Sequence, residues 1–152
     1  MCVGNGFDIH KHSKDASLIL GGIHIDGEGF EAYSDGDIIL HSLCDALLGS
    51  KAKKDLGYYF PSNETTPKDI SSVDMLNKVL EIIEIDKLKI NNVDITVLSQ
   101  VINISKVSDN ICSNLANLLN VDKNVINVKG KSFDHLGVIG DGTASACMAL
   151  VS

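Results

Sequence analysis

An acid and a histidine two positions apart, Asp8 and His10, stand near the start of the chain. Side chains two apart in a β-strand point to the same face, so this carboxylate and this imidazole can converge on one point. A second histidine, His41, has Asp37 and Asp45 four positions away on either side. Residues four apart lie on one face of a helix. The sequence therefore groups carboxylates with imidazoles in two places.

Together, Asp8, His10 and His41 would make a three-ligand set. Catalytic zinc typically takes three protein ligands and leaves its fourth position for water or substrate. The alternative is that both histidines are ordinary surface or core residues. Spacing alone favours this alternative, because an Asp-x-His pair is short and common.

A third segment, residues 127–137, joins a predicted strand end to a loop with Lys129, Lys131, Ser132 and Asp134. Lysines and a hydroxyl can hold phosphates, and a carboxylate can hold a hard cation. A solvated loop without a ligand is an equally good interpretation of this segment taken alone.

Composition limits the classes of partner. The formal charge is −7, and all 13 basic residues are lysines. This argues against nucleic-acid binding, which depends on clustered basic groups. Without arginine, a phosphorylated ligand must be held by metal ions, lysines, backbone amides or helix N-termini. No apolar run approaches the roughly 20 residues of a membrane span, so we expect no membrane insertion.

The chain has 152 residues, which fits a single domain over residues 1–152. Its first ten residues carry candidate ligands and do not resemble a targeting peptide. We therefore expect a cytoplasmic location, or a plastid location if an import segment has been removed. The four cysteines form no CxxC pair, which argues against a thiolate zinc site.

The periodicity of apolar residues predicts the elements that must position these groups. Their order indicates an α+β fold, a mixed β-sheet with helices packed on one face. The later part resembles half of a ferredoxin-like α/β sandwich. We predict strands at residues 1–10, 92–101, 125–129 and 143–151, a hairpin or bent strand at 18–25, helices at 37–53, from 72 and at 106–119, and a loop at 55–71.

Short motifs follow one another along essentially the whole chain. They are Gly4-x-Gly6-x-Asp8-x-His10, Gly21-Gly22, Ser34-Asp35-Gly36-Asp37-x-x-x-His41, Asp45-Ala46-Leu47-Leu48-Gly49, Asp55-Leu56-Gly57 with Phe60-Pro61, Asn92-Val93-Asp94, Gln100, Asn127-Val128-Lys129 and Leu136-Gly137. In this combination the chain resembles the 2-C-methyl-D-erythritol 2,4-cyclodiphosphate synthase family of the non-mevalonate isoprenoid pathway. The joined motifs reverse the preference for ordinary histidines.

The resemblance implies that Asp8, His10 and His41 bind zinc. It implies a phosphorus–oxygen lyase that cyclises 4-diphosphocytidyl-2-C-methyl-D-erythritol 2-phosphate. In this reaction the 2-phosphate attacks the β-phosphorus and CMP leaves. The family is trimeric with active sites between subunits, so a homotrimer is implied as well.

The resemblance also implies a second divalent ion, Mg²⁺ or Mn²⁺, at Asp134, where the family has glutamate. Ser132, a threonine in the family, and Tyr33, usually a histidine, take the positions that contact phosphate during catalysis. Serine keeps the hydroxyl, and tyrosine can still donate a hydrogen bond although it is neutral at pH 7.

Further positions match those that contact substrate in the family. The family's Pro-Lys pair is replaced here by Ile102-Asn103, which removes one cation from the cytidine loop. The implied substrate-binding residues are Ser34, Asp55, Leu56, Gly57, Phe60, Asn63, Ser99, Gln100, Val101, Ile102, Asn103, Ile104, Ser105, Lys131 and Phe133.

Two other functions stay open at this point. One is a zinc-dependent hydrolase or phosphotransferase for another nucleoside diphosphate compound, which would release a linear product. The other is a non-catalytic metal-binding or assembly protein that keeps the zinc site without turnover. The changes at Tyr33, Ile102-Asn103 and Asp134 support the second, whereas the complete ligand set and Ser132 oppose it.

Overall fold

A computed structural model describes residues 2–85 and 89–152. Met1, which the predicted first strand includes, lies outside the described residues. The strands are β1 (Gly4–Leu20), β2 (Ile23–Phe30), β3 (Val93–Leu98), β4 (Ile126–Lys131) and β5 (Ala144–Val151). Within the described residues they form one sheet in the order β2-β1-β5-β3-β4. Only β3 and β4 are parallel neighbours, which confirms the prediction of a mixed sheet.

The first strand is much longer than predicted. Its first half pairs with β5 from Gly4 to Lys11, and its second half pairs with β2 from His12 to Leu20. The register with β2 shifts near Ser17, as at a β-bulge, and such an irregularity bends a strand without ending it. The polar stretch after His10 therefore continues the strand, and the Gly21-Gly22 turn closes the predicted hairpin.

The helices of the described residues begin close to the predicted positions. Asp37 caps the first helix by accepting from the Ile39 and Leu40 amides, and the Ser71 hydroxyl caps the third. A short second helix interrupts the loop predicted at 55–71. The helices are α1 (Ile38–Ser50), α2 (Leu56–Tyr59), α3 (Ser72–Ile82), α4 (Ser108–Leu119) and α5 (Gly137–Gly140). None that the structure describes has the length and apolar character of a bilayer-spanning helix.

The ferredoxin-like arrangement predicted for the later part is wrong in one respect. A split βαβ unit keeps another strand between its two parallel strands. Here β3 and β4, which flank α4 in the chain, are direct neighbours. The short α5 leads into β5, which returns antiparallel on the far side of β3. An antiparallel strand needs no long crossover helix, so this placement is available to a short connection.

The core lies on the helical face of the sheet. Leu43 and Leu47 of α1, Leu76 of α3 and Leu115 of α4 belong to one buried cluster with Ile95 of β3. The opposite face carries apolar side chains that remain exposed in the single chain: Phe7, Ile9, Met148 and Leu150. The helices therefore cover one face, as predicted.

Two glycines let β1 and α1 approach closely. A Cβ atom at Gly4 would lie 1.9 Å from the Ala46 carbonyl oxygen, and one at Gly6 would lie 1.9 Å from that of Ser42. Both obstacles are backbone atoms of the helix. The glycine spacing therefore sets the distance between the strand with Asp8 and the helix with His41.

Candidate metal centre and substrate cleft

The three predicted ligands meet where β1 lies against α1. Asp8 Oδ2 is 3.0 Å from His10 Nε2 and 2.9 Å from His41 Nδ1. One ligand atom from each of the three residues lies within 4.8 Å of the others. This donor set fits a metal ion that takes three protein ligands and keeps a position open.

Further hydrogen bonds orient both imidazoles. His10 Nδ1 is 3.0 Å from the Glu31 carbonyl oxygen, which can only accept, so Nδ1 donates to it and Nε2 is the nitrogen that would bind a cation. On the other ring, His41 Nε2 is 2.9 Å from the Ser72 hydroxyl oxygen. Ser72 donates its own hydrogen to Asp35, so His41 Nε2 donates to Ser72 and Nδ1 is left to bind a cation. Such outer contacts fix the tautomers of metal-binding histidines.

The carboxylate and the imidazoles of this cluster shift one another's pKa values. Burial alone would raise the pKa of Asp8, but hydrogen bonds from His10 and His41 outweigh it and hold that pKa well below its usual range. The hydrogen bond that His10 donates to Asp8 also raises the pKa of His10, although burial opposes the shift. The carboxylate is therefore ionised, and a bound cation would take the place of protons on the imidazoles.

Replacing Ser72 with alanine is expected to weaken metal binding at this site, with zinc as the probe, by about 10-fold to 100-fold. His41 then loses the nearer of its two hydroxyl partners and keeps only Ser34, whose Oγ is 3.2 Å from Nε2. Zinc affinity can be measured by competition with a chromophoric chelator. Ser71→Ala is the control, since Ser71 caps the same helix but has no contact with His41. Equal zinc affinities in wild type and Ser72→Ala would exclude this role of Ser72.

The ligands border a cavity of about 270 Å³. The predicted substrate residues at this cavity come from the loop before α1 and from α2 with its flank. They are Tyr33, Ser34, Leu56, Gly57 and Phe60. The structure therefore brings this part of the predicted substrate site next to the ligand cluster.

Tyr33 and two further predicted site residues, Asn63 and Asp55, take part in backbone contacts of the neighbouring loop. The Tyr33 hydroxyl lies 2.8 Å from the Asn63 carbonyl oxygen and 2.9 Å from that of Thr66. The Asp55 carboxylate accepts from the Tyr58 amide and caps α2. Neither Asn63 nor Asp55 borders the cavity among the described residues. The contact of Tyr33 with phosphate stays a prediction.

The remaining predicted residues gather at a second cleft. A cavity of about 280 Å³ is bordered by residues 99–105, Gly130, Lys131 and Ser132. Neither Phe133 nor Asp134 borders it; Asp134 Oδ1 is 3.3 Å from the Ser132 hydroxyl, and the Phe133 side chain is exposed. Among the described residues the two cavities share no bordering residue. The predicted site residues therefore border two separate cavities in one chain.

Sequence reasoning assigned no role to three residues at the first site. Ser72 contacts His41, Asp35 accepts from Ser72, and the Asp45 carboxylate borders the cavity and accepts from the Leu56 amide. Ser72 lies at one predicted helix start and Asp35 two positions before another, where capping residues are expected. For Asp45 the sequence did indicate a place near the site, because this residue lies four positions after His41 on one face of the helix.

Comparison with known proteins identifies the family of this chain. A sequence model of the YgbB family matches residues 1–152. The 2-C-methyl-D-erythritol 2,4-cyclodiphosphate synthase of Wigglesworthia glossinidia brevipalpis is 41% identical over 99% of this chain and 98% of its own. The synthase of Halothermothrix orenii is 36% identical over 99% of this chain and 92% of its own. Plasmodium falciparum IspF in complex with CDP superposes with a TM-score of 0.85 at 38% identity, covering 99% of this chain and 93% of that chain.

The fold and site define an α+β protein with a three-ligand candidate metal centre at a cleft between strand and helix. The chain belongs to the YgbB family, and the matched relatives are named 2-C-methyl-D-erythritol 2,4-cyclodiphosphate synthases.

Proposed function

We propose that this chain converts 4-diphosphocytidyl-2-C-methyl-D-erythritol 2-phosphate to 2-C-methyl-D-erythritol 2,4-cyclodiphosphate and CMP. The observation that carries the proposal is the convergence of Asp8 Oδ2, His10 Nε2 and His41 Nδ1 beside a cavity. Zinc bound there would supply a Lewis acid and a template for the phosphates. The second product, CMP, agrees with the CDP bound to the related structure.

The chemistry requires no nucleophile from the protein. The 2-phosphate oxygen forms the new bond to the β-phosphorus, and the bond from that phosphorus to the oxygen of CMP breaks. The protein must fold two anionic groups of one molecule together, and such positioning is worth up to about 7–11 kcal/mol. In a chain without arginine, a cation held by Asp8, His10 and His41 would neutralise the phosphates together with Lys131, and the Ser132 hydroxyl would donate a hydrogen bond to the transferring phosphate.

We also propose that three copies assemble so that the first cavity of one chain faces the second cavity of its neighbour. This would complete a site whose halves are separate in one chain. The exposed apolar face of the sheet, with Phe7, Ile9, Met148 and Leu150, is the surface we assign to the assembly. Light scattering on the purified chain tests this assembly, and a monomer at micromolar concentration would contradict it.

The proposed active site holds a second cation at Asp134, and we expect Asp134→Asn to lower turnover more than stability. Asparagine keeps the size and one oxygen but loses the charge that a hard cation prefers. Turnover should be measured against Mg²⁺ and Mn²⁺ concentration, beside thermal unfolding. Asp141→Asn is the matched control, because it makes the same change at another exposed aspartate. An unchanged metal dependence in Asp134→Asn would remove this residue from the second site.

The direct test is incubation of the purified chain with the cytidylylated 2-phosphate substrate, zinc and Mg²⁺. Phosphorus NMR should show CMP together with the cyclic diphosphate. A linear diphosphate product would favour the alternative hydrolase, and no reaction by a zinc-loaded chain would favour a non-catalytic metal protein. The cytoplasmic location stays a prediction.

A further inference from the structure

Three hydrogen-bonded side chains join the strand of the metal ligands to the loop of the second cavity. His12 Nε2 on β1 is 2.8 Å from Ser145 Oγ on β5. Ser145 Oγ is 2.8 Å from Ser99 Oγ, just after the end of β3. Ser145 is fully buried and Ser99 is 7% exposed. A buried hydroxyl that lacks a hydrogen-bond partner destabilises the fold by about 1–3 kcal/mol, so both serine hydroxyls are held to these partners.

Ser99 organises the start of the loop. Its Oγ accepts from the Ile102 amide at 3.0 Å and from the Val101 amide at 3.3 Å. Its own amide donates to the Lys131 carbonyl at 3.1 Å, which ties the loop to β4. A serine hydroxyl that bonds the amides two and three residues on holds the backbone in a turn. The orientation of the Ser99 hydroxyl therefore bears directly on the shape of residues 99–105.

His12 anchors the other end of this network. Its Nδ1 is 3.3 Å from the Glu28 carbonyl on β2, and its ring lies against Phe30 with the ring centroids 4.7 Å apart. These contacts from the neighbouring strand leave Nε2 facing Ser145. His12 had no assigned role in the sequence, and it does not border the metal-site cavity.

We infer that His12, Ser145 and Ser99 act as positioning residues that hold loop 99–105 in the shape that receives the cytidine group of the substrate. This inference rests on the proposed function, which assigns the second cavity to the nucleotide. His12 lies two positions after His10 on β1. The nucleotide loop is thereby fastened to the same strand that carries two of the metal ligands.

The test compares His12→Ala and Ser145→Ala with wild type, using CDP as the probe in calorimetry. Each variant should weaken CDP binding by about 10-fold, the effect of losing one constrained hydrogen bond. KM for the substrate should rise by a similar factor, while kcat and zinc content stay near wild type. His12→Gln should recover part of the affinity because an amide can reach Ser145. Lys14→Ala, which changes an exposed residue two positions after His12 on β1, should behave as wild type.

Hydrogen exchange measured by NMR without nucleotide separates this inference from the proposed function. The amides of Val101 and Ile102 should exchange about 10-fold faster in His12→Ala, because their acceptor is no longer held. If the wild-type chain binds no CDP, the proposal that this loop binds the nucleotide of the substrate is wrong. Unchanged exchange in His12→Ala would show that the network does not hold the loop. Faster exchange with unchanged CDP affinity would show that the network does not position the loop for the nucleotide.

Discussion

Replacing His41 with alanine is expected to remove bound zinc and to lower turnover by about 1000-fold or more, while the chain stays folded. The variant deletes one of three ligands, and about 4 kcal/mol of lost transition-state stabilisation corresponds to a factor of 1000. Stability should fall by no more than about 2 kcal/mol, the cost of leaving Asp8 and Ser72 without this hydrogen-bond partner. Elemental analysis, turnover and urea unfolding measure the three quantities.

The matched control is His24→Ala, which removes an exposed histidine from β2. It should retain one zinc per chain and wild-type turnover. Full activity of His41→Ala without bound zinc would contradict the metal-assisted mechanism. Loss of folding in His41→Ala would instead assign the histidine a structural role.

Replacing Gly6 with alanine is expected to destabilise the chain by about 3 kcal/mol and to weaken zinc binding together with stability. The new Cβ would lie 1.9 Å from the Ser42 carbonyl oxygen and 2.9 Å from the Ala46 amide nitrogen. Backbone atoms inside a helix cannot turn aside as a side chain can, so α1 must move away from β1. Because His41 lies on α1, its Nδ1 moves away from Asp8. Urea unfolding and a zinc titration measure both effects.

Gly49→Ala is the control for this prediction because Gly49 lies on the same helix near β1. Its Cβ would meet its nearest neighbour, the Asn5 carbonyl oxygen, at 3.7 Å, which is an ordinary contact. Alanine is favoured over glycine in a helix by about 1 kcal/mol, so stability should stay equal or rise. If Gly6→Ala were as stable in urea as wild type, strand and helix would be able to separate without cost.

Local patterns predicted the individual elements well. Apolar periodicity placed α1 to within a few residues, and the alternation of Val93, Ile95 and Val97 placed β3. The extent of β1 was not predictable in this way. Its polar middle segment resembles a loop, and only pairing with β5 on one side and then β2 makes it a strand.

The role of Asp37 could not be predicted in full from local sequence patterns either. The sequence indicated the start of a helix and an acid four positions before His41. In the structure its buried carboxylate also accepts from the Gly21 and Gly22 amides, which joins the hairpin turn to the start of α1. Burial raises its pKa to about 6, although these amides oppose the shift. No spacing rule connects residues 21 and 37, because their contact depends on how the hairpin folds over the helix.

By itself, the sequence determined the chemical types at the site and the face on which each stands within its own element. Asp8 and His10 share a strand face because the period of a strand is two, and this holds wherever the strand lies. Only the tertiary structure decided that His41 reaches them, that Ser72 and Asp35 support it, and that the two cavities are separate. Distances between elements come from packing, and here two glycines allow a helix to approach a strand closely enough for three ligand atoms to converge.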